Sequence, residues 1–364
     1  MNISIIMRFH NDSPSGGRKI IYDYANYLAS KGNKVEITFL ADVPYKLRKY
    51  NLLKRIGHYL DFITHFKKQN KISWFALNPN IVLKARYNFK AREFKDADVV
   101  LAFDYGIALN IVEAGYTKEK IVYMIQHDEK VYNAEHIVRS AWRLPVQKVV
   151  VASWLYKLVA AYDKQVTLVK NYVRLKDFYV TKPIKDRRHV VSLINHPNFY
   201  KDTKTGMKAL EIVHQAYPDL RVLLFGNSDK PNDLPAYVTY TQQADTNTLR
   251  EKIYNQSSIF LLPSVLEGWG LVATEAMACG ATLVSTRNGG VDDFGIDGET
   301  AMLNDVRDYY GLANSIMYLF THDNERIRLG QNGEQLVSQL TFETSAKAFE
   351  KVLSAAARKG KSDG

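Results

Sequence analysis

Pro263-Ser264-Val265-Leu266-Glu267-Gly268-Trp269-Gly270-Leu271-Val272-Ala273-Thr274-Glu275-Ala276-Met277-Ala278-Cys279-Gly280 stands between two apolar runs, Ile259 to Leu262 and Ala281 to Ser285. The runs read as strands and the stretch between them as a loop followed by a helix. That helix is expected to start near Gly270 and to stop at Gly280, a residue suited to the left-handed position past a helix end. Loop amides at Gly268, Trp269, Gly270 and Leu271 would then be free donors at a positive helix end, a common way to hold a phosphate. Glu267 lies in the loop and Glu275 about two turns into the helix. Carboxylates on either side of such a site can accept hydrogen bonds from hydroxyl groups, as on a sugar or a ribose. Glu-Gly before a helix is also an ordinary structural pairing, so the surrounding order carries the reading.

Outward from this unit, strands and helices alternate along the whole chain. Ile3 to Met7 reads as a strand, Lys19 to Lys31 as a helix stopped by Gly32, and Val35 to Leu40 as a strand. Ala97 to Phe103, Ile121 to Ile125 and Lys148 to Ala152 follow as strands. A polar, irregular stretch near 164–189 reads as a linker. The pattern then begins again with strand His189 to Ile194, helix Thr205 to Ala216, strand Arg221 to Gly226, helix Thr246 to Tyr254 and strand Ser257 to Leu262. Helices at 308–321, 324–339 and 343–357 close the chain. Such alternation predicts an α/β protein with parallel sheets. A length of 364 residues calls for two domains. The expected division is 1–170, 171–342 and a crossover helix with a basic tail at 343–364.

Composition narrows the class. The chain is 46% hydrophobic and 24% charged, which suits a globular protein. No apolar run is long enough to span a membrane, and no secretory leader is legible, so a cytoplasmic location is expected. The single cysteine, Cys279, leaves no internal disulfide and no cysteine zinc site, and its helix suggests a core role. Net charge is +11, and residues 42–95 alone hold thirteen Lys/Arg against three Asp/Glu. Basic and large apolar residues alternate there, from Tyr45 through Ile56 to Tyr59, Phe62, Phe66, Trp74 and Phe75. A basic amphipathic segment on an anionic membrane is the expectation, ahead of a merely solvated helix face. No nucleic-acid motif accompanies the charge.

The ordered unit from Ile259 to Leu303 resembles the donor-binding signature of the retaining family 4 glycosyltransferases, and Pro14-Ser15-Gly16-Gly17 and Gly289-Gly290 extend the likeness to bacterial cell-surface polysaccharide members, including rhamnosyltransferases. The resemblance implies the GT-B fold, two Rossmann-like domains facing a central cleft, with the last helix packing back on the N-terminal domain. It implies a nucleotide-sugar donor, a glycan or lipid-linked saccharide acceptor, transfer with retention, and no metal or other cofactor. Glu267 would hold donor hydroxyls and Glu275 the ribose. Gly16 and Gly17 would lie over the donor phosphates, and His127, after the strand Ile121 to Ile125, would line the reaction centre. Lys201 and Lys204 would meet the diphosphate. The family's arginine before this lysine is absent, His196 or Asn195 standing there, and Asp202 replaces a glycine; Arg287 is the candidate substitute. Arg18, Asp104 and Asp128 are weaker acceptor-side candidates. A sugar epimerase or phosphorylase on the same fold, or a non-catalytic partner subunit, are the rival readings.

Overall fold

The computed structural model describes residues 1–8, 14–41, 52–69 and 72–362. The chain forms two compact units. The first comprises Met1–Lys170 and Ala346–Gly364, the second Asn171–Ser345.

The first unit is built on a seven-stranded, all-parallel sheet. Its strands are β1 (Asn2–Arg8), β2 (Lys34–Leu40), β3 (Val82–Arg86), β4 (Val99–Ala102), β5 (Ile121–Ile125), β6 (Gln147–Val150) and β7 (Val166–Leu168). Their order is β3-β2-β1-β4-β5-β6-β7. β1 pairs with both β2 and β4, in register Ile5 with Ile37 and with Leu101. The interior strands are buried throughout: Ile5, Ile6, Val100 and Val122 have no exposed surface. Such two-sided burial produces the unbroken apolar runs seen in the sequence. β7 falls inside the stretch expected to be an irregular linker.

The second unit repeats the plan with six parallel strands: β8 (Val190–Ile194), β9 (Arg221–Gly226), β10 (Val238–Gln242), β11 (Ile259–Leu262), β12 (Thr282–Thr286) and β13 (Ala301–Asn304). Their order is β10-β9-β8-β11-β12-β13. The helices Thr203–Ala216 and Tyr309–Thr321 pack Ala209, Leu210, Leu312 and Ile316 with Val191, Leu193, Leu261 and Val284 in one buried cluster. Sequence order thus reverses beside β1 in one sheet and beside β8 in the other. In open α/β sheets the carboxyl ends of the strands at such a reversal are where ligands bind.

The last helix, Phe342–Ser362, carries the chain back to the first unit. There Phe349 stacks on Tyr24 at 4.3 Å between ring centroids, and the Tyr27 hydroxyl donates to Glu350 Oε2 at 2.9 Å. This is the return expected from the resemblance.

Helix Leu52–Gln69 belongs to the basic segment. Phe62 is buried, and Tyr59 meets Tyr87 edge-on at 4.9 Å. Trp74 and Phe75 pack on Tyr22. Leu53, Ile56 and Leu60 are instead exposed, at 78%, 47% and 59%. Residues 42–51, with Tyr45, and the Phe66 side chain lie outside the described residues. No described helix is long and apolar enough to cross a membrane.

Candidate functional site

The loop after β11 and the loop after β8 meet at the reversal point of the second sheet. Lys201 Nζ donates to both oxygens of Glu267, at 2.8 and 2.7 Å, across 66 residues of sequence. Ser264 Oγ donates to Glu267 Oε1 at 2.8 Å, and Glu267 is only 4% exposed. The loops are also tied through backbone: Val265 N–H donates to the Tyr200 carbonyl at 2.7 Å, and Glu267 N–H to the Asn288 carbonyl at 3.0 Å. A Cβ at Gly290 would run into the Glu267 Cβ and lie 2.7 Å from the Trp269 carbonyl, so only glycine lets these segments approach so closely. The carboxylate is therefore held rigidly and its charge is matched by an ammonium.

Helix Leu271–Ala278 starts from Gly270, whose φ of +99° is open to glycine at little cost. Among the described residues the amides of Trp269, Gly270 and Leu271 have no backbone acceptor. They are the donors expected at the start of this helix. Gly280 ends it with φ +83°. Glu275 is the fifth helical residue, just past the first turn and not two turns in; Tyr254 donates to its Oε2 at 3.3 Å. Cys279 is buried, and burial pushes its thiol up to about 12, as befits a core residue.

The Trp269 side chain is 3% exposed and packs on Phe294 at 5.5 Å, its indole N–H without a partner among the described residues, so the side chain lies in the core and the backbone is what it offers the loop. Arg287 is the expected substitute for the missing arginine. Its guanidinium is exposed and bound to Asp297 at 2.7 Å, and no contact joins it to Lys201 or Glu267 among the described residues. Asp202, at the family's glycine position, keeps a left-handed backbone (φ +45°) and caps helix Thr203–Ala216, accepting from Thr205 N–H. Aspartate tolerates that conformation better than most residues and adds a negative charge beside Lys201. Lys204, in the same helix's first turn, is exposed. His196 is half-buried; its Nδ1 accepts from Asn198 N–H at 3.2 Å. Burial and the Lys201 charge lower its pKa, with Glu267 pulling the other way.

In the first unit the corresponding reversal lies between β1 and β4. Arg8 and Asp104 form an ion pair across it, with a second bond of 2.8 Å. Burial opposes the Arg8 charge, but the charge and hydrogen bonds of Asp104 outweigh it and leave the guanidinium pKa raised. Asp104 also accepts from Ile107 N–H as the cap of helix Tyr105–Glu113. It is thus engaged both by Arg8 and by the helix start. Behind it Glu129 is buried, accepting from Tyr105 N–H at 2.8 Å and from the Tyr123 hydroxyl. Burial first, then the Asp104 charge, push Glu129 up to about 8.

Gly16 and Gly17 are the first residues of helix Gly16–Ser30, not a loop preceding it. Gln126 Nε2 donates to the Gly17 carbonyl at 3.2 Å, linking this turn to the end of β5. His127, the next residue, is exposed, its ring 6.3 Å from that of Tyr132. Asp128 caps the turn Glu129–Val131 and meets Lys130 at 3.5 Å. Lys201 and Glu267 are the only two sequence-derived candidates joined directly by a described contact. Ser264 and Asn288, which complete the setting of Glu267, carried no assignment. Ser264 stands three residues ahead of Glu267, a spacing that could have pointed to it.

Comparisons with known proteins follow this geometry. Residues 180–336, most of the second unit, match the model of the family described as Glycosyl transferases group 1. The D-inositol 3-phosphate glycosyltransferase of Corynebacterium glutamicum (strain R) is 27% identical over 173 residues, 43% of this chain and 41% of that protein. The chain thus spans about two fifths of that relative's length. Sucrose-phosphate synthase from Thermosynechococcus elongatus superposes with a TM-score of 0.70 at 17% identity, over 96% of this chain and 97% of the other. HepE of Anabaena, solved with UDP and glucose, gives 0.70 at 14%, over 97% and 99%. These structures share the fold: two parallel-sheet Rossmann-like units of the GT-B type.

Proposed function

We propose that the protein is a glycosyltransferase that moves a sugar from a nucleotide-sugar donor to a glycan or lipid-linked saccharide acceptor in cell-surface polysaccharide synthesis. The observation that carries this reading is the Lys201–Glu267–Ser264 cluster beside the open helix start at Gly270, on the reversal point of the second sheet. A departing nucleoside diphosphate needs positive potential. Lys201 and the amides of Trp269 to Leu271 supply it without a metal ion. Glu267 accepts hydrogen bonds from donor hydroxyls while Lys201 holds it in place, and Glu275 serves the ribose. His127 lines the acceptor side. The group 1 match, and the UDP and UDP-glucose bound to HepE, support a nucleotide-sugar donor, with a UDP-sugar the first to try. Transfer proceeds with retention, the leaving phosphate taking the acceptor proton.

Calorimetry with UDP, GDP, ADP and dTDP, followed by assays of slow nucleotide-sugar hydrolysis, tests the reading. One nucleotide should bind and its sugar should turn over. Binding of none, with no donor consumed, would overturn it. The anomeric configuration of the product, read by NMR, decides retention.

The same reading places the enzyme on the inner face of the cell membrane. Leu53, Ile56 and Leu60 fall at helical spacing on one exposed stripe of a segment with strong positive charge. Replacing all three with serine should abolish flotation with anionic vesicles. Binding that ignores both the replacements and salt would remove the membrane from the proposal.

A further inference from the structure

Among the described residues flanking the reversal of the first sheet, Arg18 differs from the cations Arg8 and Lys130. Arg8 is matched by Asp104. Lys130 is shared between Asp128 and Glu135. Glu129 is no counter-charge at neutral pH, because burial keeps its carboxyl protonated up to about 8. Arg18 alone of these cations has no carboxylate and no hydrogen bond among the described residues. It is nevertheless half-buried, and that burial lowers the pKa of its guanidinium, with only the nearby Tyr22 acting the other way. A half-buried guanidinium has lost part of its hydration and gains from a paired anion. Its place is well defined. Arg18 follows Gly17, whose carbonyl holds the Gln126 amide, and His127 follows Gln126. Arg18 and His127 thus sit on either side of one hydrogen bond that spans the reversal point of the sheet.

We infer that Arg18, whose helix start is tied by Gln126 to the segment that carries His127, binds an anionic oxygen group on the acceptor, a phosphate ester or a carboxylate. Both groups match the planar fork of a guanidinium. This inference rests on the transferase reading and adds the acceptor's chemical class to it. The two anions are separable by experiment, since a phosphate ester offers a third oxygen and more charge.

The test titrates the whole protein, saturated with whichever nucleoside diphosphate binds it, with glycerol 3-phosphate and with glucuronate. Glycerol and glucose are the neutral controls. One charged probe should bind more tightly than its neutral control, and Arg18→Gln should weaken it at least about tenfold. Arg18→Lys should recover part of the loss, and nucleotide affinity should not change. Without ligand, Arg18→Gln should melt at or above the wild-type temperature, because it removes an uncompensated charge; a structural arginine would give a lower one. No preference for either charged probe, or equal binding by wild type and Arg18→Gln, overturns the inference while the nucleotide still binds. If no nucleoside diphosphate binds at all, the transferase reading falls and takes this inference with it.

Discussion

Both sheets reverse strand order beside their first strand, and at both reversals a cation on one segment meets a carboxylate on the other. Arg8 and Asp104 do so in the first unit, Lys201 and Glu267 in the second. The surroundings differ. Asp104 spends its second role capping helix Tyr105–Glu113, and Glu129, Tyr105 and Tyr123 fill the space behind it. Among the described residues Glu267 caps no helix, and the amides of Trp269 to Leu271 at the neighbouring helix start have no backbone acceptor. The carboxylate at the first reversal is drawn into a helix cap, whereas the one at the second is held by Lys201 and Ser264 beside a helix start. An ion pair at a sheet reversal therefore says little about function until the partners of the carboxylate are counted.

The largest effect expected from breaking the comparison is in stability. Asp104→Ala leaves Arg8 without its counter-charge and the helix without its cap. It should destabilise the first unit by about 3 kcal/mol, toward the low end for a broken buried pair because both side chains keep some exposure. Chemical denaturation measures this, and nucleotide binding should survive under native conditions. Unchanged stability with lost transfer would reverse the roles assigned to the two pairs. Glu267→Gln should do the opposite. The fold is retained, and sugar transfer drops about a hundredfold, roughly 2.7 kcal/mol of barrier. Undiminished transfer would remove Glu267 from the donor site.

The next effect depends on pH. The Glu129 pKa is raised to about 8, so its contribution to stability is complete below the carboxylate's unfolded value and is lost as pH rises through about 8. Stability of the first unit should fall by about 2 kcal/mol between pH 6 and pH 8, and Glu129→Gln should flatten that slope. An identical slope in the variant would show that another group titrates. Asp202→Ala gives the smallest change, about 1 kcal/mol of lost capping with the left-handed strain kept. Asp202→Gly should recover most of it in thermal unfolding.

The interior strands were legible because two-sided burial demands unbroken apolar runs. The strands that left no such trace are β3, β7, β10 and β13, and these are the four sheet edges. Val82–Arg86 mixes exposed and half-buried positions, Val238–Gln242 buries only Val238, and Val166–Leu168 has no buried residue. An edge strand pairs on one side only, so its sequence need not be apolar. At the candidate site, the Glu-Gly-Trp-Gly-Leu loop and the glycine-stopped helix were readable from local rules. That Trp269 turns inward and Arg287 outward was not, because each depends on a partner elsewhere in the unit, Phe294 and Asp297.

The sequence by itself determined the strand–helix alternation, the helix stops at Gly32 and Gly280, and the order of Glu267, the open amides and Glu275. Periodicity and backbone conformation act over a few residues, so these features are written locally. Only the tertiary structure decided which charges meet. Lys201 and Glu267 lie 66 residues apart, and Arg8 and Asp104 lie 96 apart. Those pairings follow from parallel crossovers that bring distant strand ends together, and no local pattern in the chain encodes which carboxylate each cation will find.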